Sequence, residues 1–245
     1  GGCQMSNVAY STFTEIKLGN VGTVYSGCNI SGDVGSIRVD MNSTSPSIDY
    51  QTVKGATYVS VSGGVVYKNL FAGSNGYYHC NNGKYYIAGI NYGYPERDYV
   101  GMRIPTNNET HVIVNNGATI KGDVYAGGNL ANVGFINESV DYDDNHDEIQ
   151  PKFVGLASVR MTGGLVEGNV YGGGGGTQRY QIPGKPDHFS LTSGRVYGNT
   201  QVNITKADGG EAPVIKGNVY GGGAIASVGA YDLRTHHESL PVAPN

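Results

Sequence analysis

IKGNVYGGG, residues 215–223, decides the fold, because the chain keeps returning to it. It recurs as LVEGNVYGGG at 165–174, as IKGDVYAGG at 120–128, and in worn form as YKNLFAGS at 67–74 and GTVYSGC at 22–28. The aromatics of the five copies are Tyr25, Phe71, Tyr125, Tyr171 and Tyr220, at steps of 46, 54, 46 and 49 residues. GGC at 1–3 reads as the tail of a sixth copy, one bare unit of 25 residues before GC at 27–28. Self-similarity at near-constant spacing is the sequence signature of a solenoid. A unit of this length makes one turn, so the longer steps read as one turn plus an insertion. Two turns per step is the rival within the same fold.

Between the knots lie alternating segments: TEIKL (14–18), YVSVS (58–62), HVIVN (111–115), SVRMT (158–162) and QVNIT (201–205). Period-two alternation marks half-buried strands. The expected inward set is Ile16, Leu18, Val59, Val61, Val112, Val114, Val159, Met161, Val202 and Ile204. The same parity in the knot strand turns Val124 and Val170 inward and Tyr125 and Tyr171 outward. Parallel strands stack ~4.8 Å apart, so like side chains should lie over like, valines inside and aromatics outside. Glycines after each aromatic are expected to supply positive φ and close backbone approach. A flexible Gly-rich linker would not carry such strands in register.

These observations predict an all-β chain: a right-handed parallel β-helix of about five to six coils, with loop and hairpin insertions projecting from one edge. Residues 1–230 form a single domain with insertions at about 29–56, 75–109, 135–156 and 177–193. Residues 231–245 show no repeat and read as a tail or linker. The start in mid-motif suggests a piece of a longer chain.

Composition narrows the class. Forty Gly with only 9 Pro and no G-X-Y period excludes collagen. A net charge of −4 offers no basic face for nucleic acid. No run of about 18 apolar residues suggests a membrane-inserted helix. Of three Cys, Cys3 and Cys28 are one bare coil apart and should stack. In-register neighbours point the same way, so a reduced stacked pair is favoured over a strained disulfide. Cys80 has no evident partner.

GNVYGGGAIASV at 217–228, GNTQVNIT at 198–205 and, less closely, NLANVG at 129–134 resemble the repeat of secreted or surface-displayed parallel β-helix proteins of Gram-negative gut-type bacteria. These are pectin-lyase-like in architecture and adhesin-like in role. The resemblance implies an extracellular or cell-surface location and supplies no catalytic motif.

Insertions on one side of a repeat stack commonly build its binding face. In the second insertion, Tyr77, Tyr78, Tyr85, Tyr86, Tyr92, Tyr94 and Tyr99 could present flat faces with polar edges to a sugar, or simply pack a hairpin on the solenoid. Asn81-Asn82-Gly83 signals that hairpin. In the third, Asp141, Asp143, Asn145, Asp147 and Glu148 place oxygens at near-alternate positions, suited either to a solvated loop or to Ca²⁺. An EF-hand is excluded by His146 and Lys152 at its sixth and twelfth positions. Asp33, Asp40 and Asp123, with Arg38, Arg97, Arg103 and Arg160, would be the acids and cations of a lyase or glycosidase, but no pair has diagnostic spacing. His236-His237 reads as a surface pair.

The expected function is a non-enzymatic stalk or adhesin segment whose insertions meet glycan or a surface protein. A polysaccharide lyase or glycosidase is the alternative. The open ends of the solenoid should be covered by further coils or a capping partner.

Overall fold

In the computed structural model the described residues are 2, 4, 8, 10–29, 34–35, 38–40, 47–49, 55–76, 78–81, 84–87, 90–93, 106–107, 109–136, 153–176 and 194–229. They form a parallel β-helix. Three five-stranded parallel sheets run along it, each taking one strand from every repeat. The long sheet stacks Thr12–Ile16, Ala56–Val61, Glu109–Val114, Leu156–Met161 and Asn199–Ile204. The second stacks Asn20–Val21, Val65–Val66, Thr119–Ile120, Leu165–Val166 and Val214–Ile215. The third stacks Val24–Tyr25, Leu70–Phe71, Val124–Tyr125, Val170–Tyr171 and Val219–Tyr220. Each repeat is therefore one coil: Tyr25 registers on Phe71, Phe71 on Tyr125, Tyr125 on Tyr171 and Tyr171 on Tyr220. Two coils per step is ruled out.

Inward parity gives the core. Val59, Val112 and Val159 form one ladder, Val61, Val114 and Met161 a second, and Val66, Ile120 and Val166 a third, all buried. Leu70, Val124 and Val170 line the third sheet. Each such side chain contributes on the order of 1.5–3 kcal/mol relative to exposure. A buried threonine column, Thr12, Thr57 and Thr110, opens the long strands.

Two members of the expected inward set are not inside. Leu18 is 89% exposed, because the first long strand ends at Ile16 and aligns Thr14 with Val59 and Ile16 with Val61. Alternation continued past the strand end thus assigned Leu18 wrongly. Ile204 is exposed because, among the described residues, nothing stacks on the outer side of the last coil. Val214, Val219, Ile225 and Val228 of that coil are exposed for the same reason.

The glycines divide into two kinds. Those of the knot (Gly73, Gly127, Gly173) do not have positive φ, contrary to expectation. They are needed because a Cβ there would lie 2.7–2.8 Å from a backbone nitrogen of the next coil. Positive φ occurs instead at the turn between the first two sheets (Gly19, Gly64, Gly117, Gly164, Gly209) and where insertions leave and return.

A fourth, narrow column completes the coil: Val8 bridges Val34, Thr106–Asn107 pairs with Asn132–Val133, and Val133, Val196 and Val228 follow. It separates two roots for the insertions. The first and third coils insert after this column, through Gly35 and Gly55 and through Gly134 and Gly155. The second and fourth insert before it, after Gly76 and through Gly176 and Gly194. Chain ends meet closely at these gates: a Cβ on Gly134 would sit 2.8 Å from the Gly155 Cα. Insertions sharing a root are thus two coils apart, ~9.6 Å, which matches the ~10 Å that packed β layers require. All lie on the segment between the third and long sheets, but at two roots rather than one line.

The described parts of the insertions are antiparallel, unlike the coil. Arg38–Asp40 pairs with Ser47–Asp49, and Phe135–Ile136 with Phe153–Val154. Tyr78–Asn81, Lys84–Ile87 and Ile90–Gly93 make a three-stranded sheet, and the first two pair antiparallel as the expected hairpin requires.

Candidate functional site

The long sheet is the widest surface of the helix, and its outward residues stack in columns. Phe13, Tyr58 and His111 form a continuous strip: ring centroids are 4.9 and 4.7 Å apart, with interplanar angles of 3° and 19°. Ser158 and Gln201 continue the column. Parallel register alone brings these together, since each directly follows its threonine-column rung or its equivalent. Phe13 is 74% exposed, so the strip opens to solvent at its first ring.

His111 is held from both sides. Its Nε2 lies 3.3 Å from Glu109 Oε2 and its Nδ1 lies 2.7 Å from Ser158 Oγ. An ionised carboxylate only accepts, so Nε2 carries a proton and donates to Glu109; in the neutral ring Nδ1 then accepts from the Ser158 hydroxyl. Carboxylate, imidazole and hydroxyl stand in the order of an acyl-transfer triad. The backbone N–H groups beneath them are engaged in the ladder between coils, which pairs Glu109–Val114 on both sides. Arg160 is exposed two residues beyond Ser158 and is a cation on this face.

Gly55 and Gly155, where insertions return, stand three residues before Tyr58 and Ser158. At ~3.3 Å per residue, the strip lies ~10 Å from the insertion roots. The strip and the roots of the first and third insertions therefore border one shelf along the solenoid.

The third sheet carries a second aromatic stack, as its parity predicts. Tyr25, Phe71, Tyr125, Tyr171 and Tyr220 stack at 5.0, 4.5, 4.9 and 5.0 Å, within 13° of parallel. It is largely structural: Phe71 and Tyr125 are buried. Beside it runs a polar ladder. Asn69 Oδ1 accepts from the Asp123 N–H, Asp123 Oδ1 from the N–H and Nδ2 of Asn169, and Asn169 Oδ1 from the Asn218 N–H. Asp123 Oδ2 also accepts from the Tyr125 hydroxyl at 3.1 Å. Burial, with the Asp123 charge second, holds the Tyr125 hydroxyl far above the ordinary tyrosine range; Tyr171 is raised by the same two causes and Tyr25 by burial. Asp123, a lyase candidate from sequence, is thus a rung of the ladder. A further asparagine ladder joins Asn29, Asn75 and Asn129.

The other expected site residues are partly placed. Tyr78, Tyr85, Tyr86 and Tyr92 stand on the three-stranded insertion sheet, where Tyr85 registers on Tyr92. Tyr77, Tyr94 and Tyr99 lie outside the described residues, as do Asp141, Asp143, Asn145, Asp147 and Glu148. So do Cys3, Asp33, Arg97, Arg103 and the His236-His237 pair. Gly2 does pack against Gly27 and Cys28, as a preceding knot would. Among the described residues no group of three His, Cys, Asp or Glu gathers to hold a metal, and no helix is long and apolar enough to cross a membrane.

The class defined is a parallel β-helix with insertions at two roots. No protein-family model matches the chain, and no curated protein or solved structure is significantly similar to it.

Proposed function

We propose that the chain is a surface or secreted β-helix segment, an adhesin-like scaffold that meets a glycan along the shelf formed by the long sheet and the insertion roots. The observation that carries this reading is the Phe13–Tyr58–His111 strip, flanked by the hydrogen-bonding groups of Glu109 and Ser158. Flat apolar rings beside hydrogen-bonding groups suit a pyranose, whose ring face is apolar and whose rim is polar. The tyrosine-rich second insertion, rooted on the other side of the fourth column, offers further rings of the same kind. The coil serves as scaffold, each turn buried by its neighbours.

A second reading is a glycan-active enzyme, favoured by the contacts of His111. With Nε2 held by Glu109, Nδ1 is a base within reach of the Ser158 hydroxyl. One assay separates the two. Incubation with acidic and neutral polysaccharides should give retention without cleavage, weakened by Tyr58→Ala. Release of reducing ends or unsaturated uronides, lost in His111→Ala, would overturn the binding reading in favour of catalysis. Absence of both retention and cleavage would leave the scaffold and remove the shelf as a contact surface.

A further inference from the structure

Arg195 enters the fold just after Gly194, where the fourth insertion returns, and its residue is only 4% exposed. Its backbone is tied to the preceding coil at both its polar groups: the N–H donates to Asn132 Oδ1 at 2.9 Å and the C=O accepts from the Val133 N–H at 2.8 Å. Val196 next to it faces the core, so Arg195 and Tyr197 share the outward side of the fourth column. The guanidinium lies 5.5 Å from the Tyr197 ring centroid, within cation–π range.

Nε and Nη2 of this guanidinium are buried and have no hydrogen-bond acceptor among the described residues. These two nitrogens form one edge of the planar fork, the edge that grips two oxygens of an oxyanion side by side. Buried polar groups in native proteins are almost always satisfied, and an unpaired buried charge is strongly unfavourable.

We propose that Arg195 is a binding site for a carboxylate, held by both oxygens on the Nε–Nη2 edge at the root of the fourth insertion. Two sources share this chemistry: a free small carboxylate, or the carboxylate of a uronic acid at a glycan terminus. Burial of Arg195 favours a small or terminal group over one in mid-polymer. The uronate source rests on the glycan reading above; the site itself does not.

The test uses the full chain in chloride buffer at constant ionic strength. Melting is followed while acetate, galacturonate, a short oligogalacturonate or neutral galactose is added. A ligand that binds only the folded state raises the melting temperature in a saturable way. Saturable stabilisation by acetate alone, or by the uronates as well, upholds the site and identifies its source; galactose should do nothing. Arg195→Lys keeps the charge but loses the fork, so the apparent affinity should fall at least about tenfold. In Arg195→Leu the carboxylate effect should vanish, while stability in chloride should equal or exceed that of the parent, because an unpaired buried charge is gone. No saturable shift in the parent chain, or an undiminished shift in Arg195→Leu, would overturn the proposal. The acetate arm makes its failure distinct from failure of glycan binding.

Discussion

Gly127→Ala is the substitution that most sharply separates stacking from local turn geometry. Its backbone is not in the positive-φ region, so alanine is locally acceptable. A Cβ there would nonetheless meet the next coil at 2.8 Å from Gly174 N, 2.9 Å from Gly174 Cα and 3.0 Å from Gly173 C. Carbon contacts settle near ~3.5 Å or beyond, so the coils must part locally by roughly 0.7 Å. The Gly127 N–H bond to Gly173 O (3.0 Å) and the Ala126 N–H bond to Tyr171 O (2.9 Å) would then stretch to about 3.6 Å, past useful geometry. Two bonds at about 1 kcal/mol each, plus about 1–3 kcal/mol of overpacking, exceed the roughly 0.4–1 kcal/mol gained from a less flexible unfolded chain. The net expectation is a loss of about 3 kcal/mol. Gly222 is the matched control: it belongs to the same knot column one coil beyond Gly173, and an added Cβ meets nothing within 4 Å. Gly222→Ala should be neutral or slightly stabilising. Urea unfolding of both variants, read as a change in midpoint at unchanged slope, makes the comparison. Equal losses would refute the reasoning, since both glycines would then be serving the turn and not the neighbouring coil.

Two further outcomes follow from the aromatic stack. Tyr125→Ala, sandwiched between Phe71 and Tyr171 and 7% exposed, should lose about 3–5 kcal/mol, whereas Tyr220→Ala, at the end and 44% exposed, should lose under about 1 kcal/mol in the same urea assay. Tyr25, Tyr125 and Tyr171 hold their protons above the ordinary tyrosine value of 10.0, so their contribution to stability is intact below about pH 10 and is lost as pH rises beyond it, where the unfolded chain ionises first. Absorbance at 295 nm should show the Tyr125 phenol ionising only as the fold melts, and Tyr125→Phe should flatten the alkaline decline; an unchanged decline would contradict the assignment.

Much of the fold was legible because a solenoid repeats its local rules. Valine alternation and the aromatic of each knot gave the coil, its parity and the outward stack. Leu18 misled because alternation does not announce where a strand ends, and the turn at Gly19 begins directly after it. Of the two reasons expected for the knot glycines, close backbone approach holds and positive φ does not; the neighbour that forbids a side chain is about 46 residues away. The residue before the knot pair in the last four copies (Asn69, Asp123, Asn169, Asn218) was a visible signal for the polar ladder and would have removed Asp123 from the catalytic candidates. The paired glycines that bound insertions, Gly35 with Gly55 and Gly134 with Gly155, were visible too, but only a known coil shows that they meet. The Phe13–Tyr58–His111 strip mixes residue types, so no motif marks it. Arg195 looked ordinary because its burial comes from contacts distant in sequence.

The central claim is that each repeat contributes one coil. It is tested most directly by a distance along the axis. Glu15 and Asn203 are exposed, share one outward column of the long sheet and stand four coils apart through Ser60, Ile113 and Arg160. Spin labels at these two positions, with the native cysteines Cys3 and Cys80 replaced by serine and Cys28 left buried, allow a pulsed dipolar measurement. Four steps of ~4.8 Å predict a separation near ~19 Å, broadened by the label arms. A distribution centred near ~38 Å, as two coils per repeat would give, would contradict the account.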